Sequence, residues 1–281
     1  MKRFLMCLII LIAVSMVWAV IWPLSVEHAV HGFGVWLNGS VNRGVEFSAQ
    51  NEPVYAPAHG EVVFECNEQT LIGGFPVEQG SLLVCKNQGD ILTIYSGILP
   101  SKKLEHTPVF QEQDVLGTTQ DSPGARSYTY VFDLKNSVYL HPHHVYPVIK
   151  ENNLPQIRTV LLVHDAAEVS LSAVTSIKQG NWYIKLRAAD LITENYIDGI
   201  KKVTCLLDGS EKQNIVLDTM SVKNGRLYYQ VNNAWTKDVV DDTGFLILGP
   251  IYITKGKSII SLVLEDFYGN EKSYSWPVSV E

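Results

Sequence analysis

The feature that most constrains this chain is its rhythm: short runs of alternating apolar and polar residues, broken every few residues by Gly, Pro, Asn or Asp. From Val30 to about Lys150 the runs are "GVEFSA", "GEVVFEC", "SLLVCKN", "ILTIYSGIL", "DVLGTT" and "YTYVFDL". A period of two places successive side chains on opposite faces, which is the pattern of a half-buried strand. No stretch carries a convincing helical period. "ENNLPQ", Glu151 to Gln156, is polar and holds a proline, so it reads as a linker. Beyond it the rhythm resumes with "RTVLLVH", "NWYIKLRAAD", "IKKVTCLLDG", "GRLYYQV" and "FLILGPIYI". It ends in "SIISLVLEDFYGNEKSYSWPVSV", where two alternating strands flank a Gly269-Asn270 reversal. The expectation is an all-β chain of antiparallel strands. Its 281 residues suffice for two domains, residues 30–150 and 157–281, joined by 151–156.

Charge narrows the partners. Against 22 Lys and Arg stand 29 Asp and Glu, a net charge of −7, with no basic block to follow a phosphate backbone. Nucleic acid is therefore excluded as an expected partner. The N-terminus, residues 1–29, reads as an export signal or membrane anchor, because Lys2 and Arg3 precede an unbroken apolar run from Phe4 to Leu24. Val17-Trp18-Ala19 offers a cleavage site after Ala19, yet the run is also about 20 residues long, enough to span a bilayer. Both readings stand, and both place the remainder outside the cytoplasm, in the periplasm or cell envelope. Cys66 and Cys85 fall on neighbouring expected strands without being obviously opposite, so buried free thiols are expected.

Five segments of the first half carry a resemblance. "GFGVWLNGSVNRGVEF" and "EPVYAPAHGEVV", with Pro53, Val54, Ala56, Gly60 and Val62, are followed by "LTIYSGIL", "QEQDVLGTT" and "SYTYVFDL". Over residues 32–148 they resemble the lysostaphin/LytM-type zinc endopeptidases, which cut peptide cross-links in bacterial peptidoglycan. The resemblance implies a zinc ion held by two His and one Asp, with two further His around the attacking water. In this chain Asn42 stands at the first His position, Glu46 at the Asp, and Gly97 at the His of the tyrosine strand. The His-x-His pair corresponds to Thr129 and Val131, or with a shift of one to Tyr128 and Tyr130. Every family ligand is thus replaced. The resemblance then implies a pseudoenzyme with no catalytic residue, no metal and no cofactor. Its emptied groove would be bounded by Asn42, Glu46, Tyr95, Gly97, Tyr128, Thr129, Tyr130 and Val131, with Gly97 leaving it open to a peptide or partner loop. The expected partner is peptidoglycan, or a cell-wall enzyme or other envelope protein. Residues 157–281 resemble the immunoglobulin-like sandwiches appended to bacterial envelope proteins. Two rivals remain: a metallopeptidase with an unconventional site built from Glu46 and the His141 to His144 tract, and an adaptor whose sandwich does the binding.

Other residues have plainer readings. "YLHPHHVYP", with His141, His143 and His144, reads as an exposed turn of solvated histidines, and Glu46 as a carboxylate without a visible partner. Trp36, Tyr55, Tyr95, Tyr128 and Tyr130 suit either the groove or cross-strand packing. Asp198, Asp208, Asp266 and Asn270 read as solvated turn residues rather than calcium ligands, since their spacing fits no ligand loop.

Overall fold

A computed structural model of the protein describes residues 21–37, 39–66, 81–87, 89–165, 167–237 and 239–281. The apolar run and the site after Ala19 lie almost wholly outside the described residues. Among the described residues no helix is long and apolar enough to cross a membrane.

The chain is all-β. In the first half, antiparallel neighbours run in the order Gly60–Cys66, Ser81–Asn87, Ile91–Pro100, Ser127–Asp133, Gly44–Phe47 and Ala29–His31. Burial alternates along Ser81–Asn87, so Leu83 and Cys85 join Val45, Phe47, Tyr95, Ile98 and Leu116 in one core. Among the described residues, the sequence rhythm gives no sign of the five-residue helix Lys102–His106, which is too short to display an apolar period.

The second half forms two layers. One holds Gly180–Leu191 between Gln156–His164 and Leu246–Ile253. The other holds Lys202–Leu207 between Ser210–Lys223 and Gly256–Glu265. Leu162, Ile184, Leu186 and Leu248 from the first meet Val203, Ile215, Leu262 and Leu264 from the second in a shared core. Gly256–Glu265 and Glu271–Val280 pair along ten positions, and Gly269 takes φ +93° in the reversal between them.

The halves are joined by more than the connecting chain. Ala29–His31 pairs in parallel with Ile197–Asp198, and Val138–Leu140 pairs with Ser210–Lys223. Ile192 and Tyr196 from the second half enter the core of the first. Residues 151–155 have no regular structure, and Gln156 already opens the next strand. Even so, the segment is anchored: Glu151 accepts from the Asn270 side chain, and Asn153 donates to the Leu191 carbonyl.

Cys66, Cys85 and Cys205 are buried free thiols. The register puts Cys85 opposite Val62 and Cys66 opposite Leu82. Burial pushes the Cys85 thiol up to about 12 and that of Cys205 to about 11, so neither is nucleophilic at neutral pH.

Candidate functional site

The Gly44–Phe47 strand decides which side chains share a face. Across it and its neighbours, Glu46 sits opposite Tyr128, which in turn sits opposite Ser96; Gly44 sits opposite Tyr130, and Tyr130 opposite Ile94. Directly opposed residues point to the same side of a sheet, so Glu46, Tyr128 and Tyr130 share one face. Thr129 and Val131 point the other way. They are buried on the side of Val45 and Tyr95, which are also buried. Tyr128 and Tyr130, rather than Thr129 and Val131, are thus the pair on the Glu46 side of the sheet. Tyr95, Thr129 and Val131 are core residues and do not line a groove.

Glu46 is not a lone carboxylate. Only 6 % exposed, it has Oε2 2.7 Å from His31 Nδ1 and Oε1 3.1 Å from Arg126 Nε. The pairing of Ala29–His31 with Gly44–Phe47 sets His31 directly beside it. Arg126 reaches it from the loop just before the Ser127–Asp133 strand. Both carboxylate oxygens are thus taken by nitrogen donors. Sequence reasoning missed both partners, since neither His31 nor Arg126 belongs to a recognisable spacing, and only the register brings them together.

Asn42 is spent on the backbone. Its Nδ2 donates to the His31 carbonyl at 3.1 Å, and its Oδ1 accepts from Gly44 N–H at 3.2 Å. The amide oxygen that would have to serve as a ligand fixes the entry to the strand instead.

Gly97 is not an open wall. Its φ is +75°, and a Cβ there would lie 2.2 Å from the Arg126 carbonyl oxygen. Ser127 Oγ donates to the Gly97 carbonyl at 3.0 Å and holds the two strands together at this point. The space that an absent imidazole was expected to leave is filled by backbone.

Beside Glu46 lies a row of half-buried aromatic rings. Tyr128 and Tyr130 are parallel, 6.3 Å between centroids, and Tyr130, Tyr139 and Phe132 continue edge to face. The Arg43 guanidinium stands 4.9 Å over the Tyr139 ring. Gly44 belongs to this face because a Cβ would strike the Thr129 carbonyl at 2.0 Å and the Tyr130 ring at 2.8 Å; the tyrosine covers the glycine. Trp36 and Tyr55 lie elsewhere. Trp36 packs over Gly244 at a cavity of about 320 Å³ also lined by Leu186, Met220 and Tyr229, and Tyr55 pairs opposite Val115. That cavity includes none of Glu46, Tyr128 or Tyr130.

The histidine tract is not a solvated turn. His141 is 1 % exposed, with Nε2 3.1 Å from Asp198 Oδ2 and Nδ1 accepting from His143 N–H at 3.2 Å. Both ring nitrogens are occupied, so Nε2 carries the proton it donates to Asp198. The ring stacks on Phe267 at 3.7 Å. Burial, and then neighbouring His141, press the His143 imidazole down to about 3, while His144 is exposed. Nor are Asp198 and Asp266 solvated; both are fully buried, whereas Asp208 is exposed. Among the described residues, a group of three potential metal-ligating side chains comes together at Glu151, Asp190 and Asp266, not around Glu46.

Comparisons with known proteins add little to this geometry. A family model for a domain of unknown function matches residues 154–281. The curated proteins include no match to the chain. Among solved structures, the chain is similar to the NMR solution structure of lysostaphin at 10 % identity, over 87 % of this chain and 93 % of that one, with a TM-score of 0.33. At that score the likeness does not bear on the site.

Proposed function

We propose that the first half is a non-catalytic binding module whose face around Glu46, Tyr128 and Tyr130 engages peptidoglycan in the cell envelope, directly or while positioning a cell-wall enzyme. The observation that carries this reading is the closure of Glu46 between His31 and Arg126 beside two parallel tyrosine rings. A carboxylate with one oxygen against a guanidinium and the other against an imidazole nitrogen is poorly placed to ligate zinc. Parallel, half-exposed rings instead offer flat apolar faces, and the adjacent imidazole and guanidinium offer donors to amide and carboxylate groups. Glycan strands bearing short peptides present both kinds of partner. The unconventional metallopeptidase has less in its favour, because His141 gives its ring nitrogens to Asp198 and His143 rather than to Glu46.

Co-sedimentation with purified sacculi tests the proposal. Tyr128→Ala combined with Tyr130→Ala is expected to weaken binding about 10- to 30-fold, as loss of an aromatic hot spot does. The circular dichroism spectrum should keep its β signature. Binding as tight as that of the wild-type protein would move the function away from this face.

A further inference from the structure

Two aspartates on paired strands are treated very differently. Asp190 and Asp198 are register partners at the junction of the two halves, and each is 0 % exposed. Asp198 has four donors: His141 Nε2, the Tyr196 and Tyr268 hydroxyls, and Gly199 N–H. Among the described residues no side chain donates to either oxygen of Asp190, and neither oxygen has a hydrogen bond of normal geometry. Burying a carboxylate with no partner is among the costliest arrangements a protein can adopt.

Its surroundings raise the cost further. Asp266, also 0 % exposed, uses Oδ1 to accept from Tyr268 N–H and Asn270 N–H at 2.8 Å each, which aims the unpartnered Oδ2 away from its own turn. Glu151 is fixed by Asn153 N–H and the Asn270 side chain. One oxygen from each of Glu151, Asp190 and Asp266 lies within 4.8 Å of the others. The ion pairs of the described residues include none at these three side chains. Burial, followed by the charges of Asp266, Glu151 and Asp198, pushes the Asp190 carboxyl up to about 7. Burial and Asp266 also raise Glu151.

We infer that Glu151, Asp190 and Asp266 form a binding site for a hard divalent cation, calcium by preference, which ties the connecting segment to the strand Gly180–Leu191 and to the C-terminal hairpin. The donors are all oxygens, which excludes the softer ligands that select zinc or copper. Three carboxylates drawn from a connecting segment, a strand end and a turn suit the long, variable bonds that calcium accepts more readily than magnesium. The contrast with Asp198 supplies the reason to look outside the chain: where this junction buries a carboxylate for its own structure, it surrounds it with donors. The site is independent of the Glu46 face and does not rest on the function proposed for it.

Thermal unfolding of the full chain in EDTA and in about 10 mM calcium chloride, at matched ionic strength, tests the site. With an affinity of about 0.1–1 mM, calcium is expected to raise Tm by roughly 2–5 °C. Asp190→Asn should raise Tm in EDTA, because it removes a buried unpaired charge of the same shape, and should lose the calcium response. Glu151→Gln, which lies outside the fully buried pair, should reduce that response without raising Tm to the same extent. A wild-type Tm that is the same in EDTA and in calcium would overturn the proposal, as would an Asp190→Asn variant that keeps the full shift.

Discussion

Replacing Asp198 by alanine is expected to destabilise the protein by about 3–5 kcal/mol, one of the largest losses available from a single side chain. Asp198 is fully buried where the Ile197–Asp198 strand joins the two halves, in parallel with Ala29–His31 and antiparallel with Gly180–Leu191. Its Oδ2 lies 3.1 Å from His141 Nε2, 3.3 Å from Tyr196 Oη and 3.0 Å from Tyr268 Oη, and its Oδ1 accepts Gly199 N–H at 2.9 Å. Alanine would strand all four donors in a place where water does not readily replace the carboxylate. Because those donors come from both halves, the loss should appear as a shift of the main unfolding transition rather than as local fraying. Asp208→Ala is the control. Exposed, with one bond to Ile259 N–H, it should cost about 1 kcal/mol or less. Urea unfolding distinguishes the two, and an Asp198→Ala variant within about 1 kcal/mol of wild type would show that the junction is not held by this carboxylate.

Gly97→Ala should cost about 3 kcal/mol or more, and Gly97→Trp more still. Two terms add. A left-handed backbone costs an L-residue about 1–2 kcal/mol, and at φ +75° position 97 incurs that cost whatever surrounds it. The second term is the clash of a Cβ with the Arg126 carbonyl at 2.2 Å, which only a backbone shift can relieve. Gly209 separates the terms: its φ is +78° and nothing lies within 4 Å of its Cβ position, so Gly209→Ala should show the backbone cost alone. Equal losses at both positions, measured by urea unfolding, would remove the close approach from the account. The result matters for function, because it decides whether position 97 is open space or is filled by the Arg126 backbone.

The strands were legible because alternation is a local property. Ser81–Asn87 buries every second residue as its letters suggest, and the closing hairpin reverses at Gly269-Asn270 as expected. Parity relative to a distant strand is not local. "SYTYVFD" offers two alternating sets, and only its pairing with Gly44–Phe47 decides that Tyr128 and Tyr130, not Thr129 and Val131, stand beside Glu46. The polar residues were misread for a related reason. His141 and Asp198 are 57 positions apart, and His31 and Glu46 are on separate strands, so neither pair has a spacing to read. A histidine in a polar, proline-containing segment looks solvated until another part of the chain closes over it. Asp198 and Asp266 read as solvated turn residues on the same ground, yet the folding of two sheets onto one junction buries both.

The central claim is that the face around Glu46 binds without cutting. Its most direct test is incubation of the full chain with purified peptidoglycan in zinc-supplemented buffer, following both the protein retained on the sacculi and the new amino groups released by amide cleavage. The account predicts retention with no amino groups above those of a protein-free control. Steady release of amino groups that is abolished by Glu46→Ala would contradict it, and would make Glu46, with its His31 and Arg126 contacts, part of a catalytic site.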